Sequence, residues 1–187
     1  MPRCSFPGLL FLALFALVLP AEAAEDDIPG ALAAQLIVKI AAFDKNFAAR
    51  RQARPRVLVV QRNGDERSVR IATQLATQLA EGERGFPVDT INYAGARALG
   101  PEVETRAACI IILATGLEEE MPGIAAALVG RDVLSVATTG TSVERGASVG
   151  LEIRSGRPKI VVNLASAQAQ HVSFRAELLS LARIVAP

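Results

Sequence analysis

Residues able to do chemistry are scarce in this chain. It has one histidine, His171, and two cysteines, Cys4 and Cys109. A Ser-His-Asp arrangement would have to recruit His171, yet no serine stands in a recognisable nucleophile setting such as a G-x-S-x-G elbow. Walker and G-x-G-x-x-G phosphate loops are missing from the sequence as well. With one His and one Cys beyond the N-terminal segment, the usual transition-metal ligand sets cannot be assembled. No metal and no cofactor are therefore expected. Glu118, Glu119 and Glu120 are adjacent carboxylates of a kind that can share acid–base work. Three acids in a row at a helix start are read instead as a solvated face that the helix dipole favours. His171 reads as a surface or capping residue, and the chain is expected not to be an enzyme.

The candidate that remains is "TTGTSVERGASVG", residues 138–150. Thr138, Thr139, Ser142, Glu144 and Arg145 supply hydroxyls and charges, and Gly140, Gly146 and Gly150 supply mobility. Loops at strand ends are where α/β sheets bind ligands and partners. These five polar residues are taken as the partner- or ligand-binding site, together with exposed parts of the first helix.

The elements that must position this loop follow from hydrophobic periodicity. Leu32, Leu36, Ile40, Phe43 and Phe47 recur at steps of three and four and predict one helix over 31–49. "RVLVVQ" is short, β-branched and nearly continuous, which predicts a strand covered on both faces, and "PVDTINY", the most apolar "ACIIILA" and "DVLSVAT" are further strand candidates. Between the first two, Val69, Ala72, Leu75, Ala76 and Leu79 mark a helix. "EEEMPGIAAALVG" predicts another, whereas Gly100 and Pro101 make "ARALGPEVETRA" a connector. "SVGLEIRSGRPKIVVNL" holds two strands around Ser155-Gly156, the signal of a hairpin. Phe174, Leu178, Leu181 and Val185 predict a last helix, with Ser173 and Glu177 as a capping pair. The expected fold is a single α/β domain: a mainly parallel sheet flanked by helices, with a C-terminal antiparallel hairpin and a final helix.

Composition narrows the setting. Arg3, the apolar run from Leu9 to Leu19, and Ala21-Glu22-Ala23 form the three-part layout of a secretory signal, so residues 1–24 are expected to be removed on export. The run is too short to span a bilayer. About 160 residues remain in 25–187, enough for one core-forming domain. Removing Arg3 and Glu22 leaves the formal net charge at +1. That balance, one Tyr and no Trp argue against nucleic acid. Cys109, alone after cleavage, cannot form an internal disulfide and reads as a small buried hydrophobe.

The last third of the chain resembles the YfiR-like periplasmic regulators. Glu144-Arg145-Gly146 after a strand and polar loop, a hairpin, Asn163-Leu164, and "LLSLARIV" from Leu178 to Val185 carry the resemblance. It implies a non-catalytic periplasmic domain that binds the periplasmic sensor part of a membrane signalling protein, such as a diguanylate cyclase, and restrains it, lowering cyclic di-GMP and biofilm formation. Dimers are plausible by the same resemblance. The chain departs from relatives in lacking a Trp-Pro at the end of the first helix. From the residues alone, the alternative is a periplasmic small-molecule-binding module in which Thr138, Thr139, Ser142 and Arg145 hold a polar ligand.

Overall fold

Runs of branched apolar residues bounded by turns become the centre of one seven-stranded sheet. The computed structural model describes residues 28–50, 55–82 and 85–185; the expected export segment lies outside them. In chain order the elements are α1 (Gly30–Ala42), α2 (Phe47–Arg50), β1 (Arg56–Gln61), α3 (Glu66–Glu81), β2 (Val88–Asn92), α4 (Ala96–Thr105) and β3 (Ala108–Leu113). A 3-10 turn, Glu118–Glu120, leads into α5 (Met121–Leu128), β4 (Leu134–Ala137), α6 (Gly140–Glu144), β5 (Val149–Arg154), β6 (Arg157–Asn163), α7 (Leu164–Ala169), α8 (Ala176–Leu181) and β7 (Arg183–Val185). The strand order is β2-β1-β3-β4-β5-β6-β7. The first five run parallel, β6 returns antiparallel to β5, and β7 lies parallel to β6. Order 2-1-3-4-5 is that of a doubly wound sheet whose topology switches between β1 and β3. The α/β architecture with its antiparallel hairpin is thus as the sequence implied.

Alternation along the strands divides the core into two layers. Val57, Val59, Ile110, Ile112, Val149 and Leu151 face one side, where Ile37 and Ile40 of α1, Leu75 of α3 and the C-terminal Phe174 and Leu178 cover them. Leu58, Val60, Ile111, Leu113 and Val161 face the other, under Leu99 of α4, Met121 and Ile124 of α5 and Val143 of α6. α3 begins cleanly because Asp65 accepts a hydrogen bond from the Ser68 amide.

Five local expectations change. The helix over 31–49 breaks after Ala42, because the next residues are drawn into the C-terminal segment. Asp44 forms an antiparallel bridge with Phe174, the Lys45 amide donates to Ser173, and the Arg175 amide donates to Phe43. The buried stripe of α1 is Ala33, Ala34, Ile37, Ile40 and Ala41, leaving Leu32 about one-third exposed at 37%. The expected connector at Gly100-Pro101 is α4, with Pro101 inside it. Gly100 has no Cβ to clash with the proline ring, and the Arg131 guanidinium lies 2.5 Å from where a Cβ would be. Finally, α8 stops at Leu181 and the chain continues as β7, so neither Leu181 nor Val185 extends a helical stripe. Arg175 is the N-cap of α8, and the Ser173 amide donates instead to Asp44 Oδ1 at 3.0 Å.

Candidate functional site

The stretch after β4 is an ordered element. Thr139, extended at φ −129° and ψ 148°, caps α6 by accepting from the Ser142 amide. Its hydroxyl lies 3.0 Å from that of Ser142 and donates to Glu118 Oε1 at 3.3 Å, where the Thr115 hydroxyl also arrives at 3.4 Å. Both Thr139 and Ser142 are buried. Two of the glycines read as mobile serve close approach: a Cβ on Gly150 would meet Val143 Cγ2 at 2.5 Å, and one on Gly140 would strike the Glu152 carboxylate. Gly146 is required twice over. Its φ of 127° suits no L-residue, and a Cβ there would lie 2.6 Å from that of Ala125.

Glu144 and Arg145 carry the charged part of the site. Glu144 Oε1 pairs with Arg183 Nη2 at 3.0 Å, and that same guanidinium reaches Glu152 Oε2 at 3.0 Å. Hydrogen bonding to Glu152 raises the Arg183 pKa further, against an opposing effect of burial. Arg145 Nη1 donates to Glu119 Oε1 at 2.6 Å and to the Glu118 carbonyl at 3.3 Å. Asn163 fastens the assembly from below. Its Nδ2 donates to the Val143 carbonyl at 3.1 Å while its Oδ1 accepts from the Ser166 amide at 3.0 Å, so one side chain ties α6 and caps α7.

The fold therefore gathers Thr139, Ser142, Glu144 and Arg145 on one side of the sheet. Thr138 turns to the other face, beside Ile37, Ile71 and Leu151, where the space left is only about 30 Å³. Sequence reasoning missed Glu118, Glu119, Glu152 and Arg183 as parts of this cluster. The Glu-Glu-Glu run looks like any solvated helix start, and Arg183 was hidden by the expectation of helix. The "LARIV" motif was the available signal.

The rest of the surface offers little chemistry. At the β1–β3 switch point, where such sheets usually bind ligands, Arg62 Nη1 donates to the Gly116 carbonyl at 2.6 Å and bridges the mouth. Nearby Tyr93 has its pKa raised, first by burial and then by Glu120, so the phenol stays protonated and is no base at neutral pH. At the opposite end of the strands an open depression of about 640 Å³ is lined by Arg56, Glu104, Cys109, Arg131, Asp132 and His171. His171 sits there in a turn at φ 56°, with Nδ1 2.7 Å from Asp132 Oδ1. Cys109 is buried, its thiol 3.5 Å from the Arg56 carbonyl. Among the described residues no group of His, Cys, Asp and Glu is placed to hold a metal ion, and no helix is long and apolar enough to cross a membrane.

With this geometry in view, comparison with known proteins is informative. No curated protein matches the sequence significantly. Among solved structures, an ABC domain from Streptococcus pneumoniae in complex with L-Trp superposes with a TM-score of 0.63 at 12% identity, covering 84% of this chain and 62% of that one. A conserved domain protein from Vibrio cholerae gives 0.60 at 14% identity, covering 83% and 60%. The ligand-free, open form of a substrate-binding protein with adhesive properties from Clostridium difficile gives 0.60 at 12%, covering 82% and 58%. At such identities the likeness is one of fold, and this chain spans about three-fifths of each of those proteins. The sequence itself matches the family described as DUF4154, YfiR/HmsC-like, over residues 30–183, from the start of α1 into β7. The chain is a member of the YfiR/HmsC-like family.

Proposed function

We propose that this protein is a non-enzymatic periplasmic regulator that binds the periplasmic domain of a membrane signalling protein, such as a diguanylate cyclase, and restrains its activity. The observation that carries this reading is the family match across nearly the whole described chain. It accords with a site in which Thr139 and Ser142 are engaged in capping α6 and Glu144 and Arg145 in ion pairs. Glu144, Arg145 and the neighbouring Glu119 form the exposed part of the contact surface, and Thr139 and Ser142 hold α6 in the conformation that presents them. Regulation then requires that the protein bind one state of its partner more tightly than the other, since equal affinity for both shifts nothing.

The alternative, a small-molecule module, draws on the fold shared with ligand-bound and substrate-binding proteins. It is the weaker reading, because the crevice at the switch point is bridged by Arg62 and the hydroxyls of Thr139 and Ser142 already satisfy each other. The test is capture of membrane proteins from detergent extracts on the immobilised protein, with cyclic di-GMP measured in a deletion strain. Recovery of a membrane sensor that Arg145→Ala no longer retains, with raised cyclic di-GMP on deletion, is expected. Recovery of none with unchanged cyclic di-GMP refutes the proposal.

A further inference from the structure

β5 and β6 run beyond α6 into solvent. Every residue from Arg154 to Lys159 is exposed. The register sets Arg154 directly opposite Arg157, and Glu152 opposite Lys159. Side chains two apart share a face, so Glu152, Arg154, Arg157 and Lys159 all lie on the side that carries α6. Arg183, opposite Val161 on β7, lies on that side too. It takes up Glu152 and Glu144. Among the described residues no carboxylate pairs with Arg154, Arg157 or Lys159.

Like charges facing each other across strands destabilise a hairpin. Folding alone gives no reason to set two guanidinium groups in register; the turn itself is secured by Ser155 at φ 52° and Gly156 at φ 70°, the left-handed pair that a tight hairpin needs. This patch presents cations alone, with no unengaged carboxylate to complement a mixed-charge partner, unlike the mixed-charge surface of Glu119, Glu144 and Arg145. Side-by-side guanidinium groups with a lysine instead suit a surface of repeated phosphates.

We propose that the β5–β6 hairpin is an electrostatic docking surface for anionic phospholipid headgroups, holding the protein against the bilayer in which its partner resides. The purpose rests on the regulator reading; the binding itself does not. Three cations at an anionic membrane surface raise partitioning roughly 100-fold at low salt, and about 0.5 M salt screens most of that gain.

Co-sedimentation of the purified protein with phosphatidylethanolamine–phosphatidylglycerol vesicles tests this, with pure phosphatidylcholine vesicles as control. Binding to the anionic vesicles alone is expected, released by salt and reduced at least tenfold in Arg154→Gln/Arg157→Gln/Lys159→Gln at a melting temperature no lower than the parent's. Equal binding by the triple variant, or no preference for anionic lipid, overturns the proposal. So does loss of a detergent-solubilised partner by that variant with no vesicle binding by the parent, because the patch would then read a protein. Vesicle binding needs no partner, so its failure is separable from failure of the regulator reading.

Discussion

Two seams of the sheet, β1–β3 and β4–β5, are both parallel and both buried, but they are held by different means. Along the first, Val57 to Val60 pair with Ile110 to Leu113 residue for residue, and nearly every side chain is apolar and closed to solvent. Along the second, only Val136 with Val149 and Ala137 with Gly150 remain in register. Side chains take over at its start. Gln170 Oε1 accepts from the Ser135 amide at 3.1 Å and from the Ser148 hydroxyl at 2.8 Å, and the Ser148 amide donates to Ser135 Oγ at 2.8 Å. At its end, Gly150 admits Val143 of α6. Apolar burial is non-directional and many sequences satisfy it, whereas a buried polar network works only when each member is present. Glu144-Arg145-Gly146 and Asn163, which carried the resemblance in the sequence, lie beside the second seam, where the fold depends on particular side chains.

The comparison is broken most severely at the apolar seam. Ile111→Ala, at a fully buried position of β3, is expected to cost about 4 kcal/mol in urea unfolding, through lost burial and an unfilled cavity. Gln170→Leu keeps volume at the polar seam but removes the acceptor shared by Ser135 and Ser148. The buried amide and hydroxyl then lack their partner, at about 2–3 kcal/mol. Adding Ser148→Ala removes one of the orphaned groups, so the double variant should be less destabilised than the two single losses summed. Strict additivity would mean that the three residues do not act as a network.

These contrasts also explain what could be read from the sequence. β1, β3 and the hairpin were legible because branched runs between turn residues, or around Ser155-Gly156, allow little else. α4 was not, since its stability comes from burying Leu99 and Val103 rather than from helix propensity around Pro101. The break after Ala42 depends on Ser173 and Phe174, far off in sequence. Helical spacing at Leu178, Leu181 and Val185 misled because β6 offered an edge that Arg183–Val185 could pair with. At the site, the composition of 138–150 was recognisable, but the glycines suggested mobility where they serve contact. The acids that complete the cluster come from Glu118, Glu119 and Glu152, whose proximity only the sheet order creates.

Asn163→Ala sharpens the comparison at intermediate cost. Loss of the α7 cap and of the bond to the Val143 carbonyl should together lower stability by about 2 kcal/mol. Because Val143 belongs to α6, capture of the membrane partner should weaken in the same variant. A variant that loses stability yet retains capture fully would place Asn163 in the scaffold alone.

The smallest effect on stability belongs to the residue with the largest expected effect on function. Arg145 pairs with Glu119 at side-chain exposures of 40% and 79%, and ion pairs this accessible contribute about 0–1 kcal/mol because water and salt screen them. Arg145→Ala should therefore unfold within about 1 kcal/mol of the parent while losing most of its capture of the membrane partner. Arg145→Lys keeps the charge on a shorter, more strongly hydrated side chain, in place of the Nη1 that reaches both the Glu119 carboxylate and the Glu118 carbonyl, so it should recover stability and only part of the capture. If both variants bind as the parent does, the exposed charges of α6 are not the contact surface. The polar seam would then be an adaptation of the fold itself, no more functional than the apolar seam beside it.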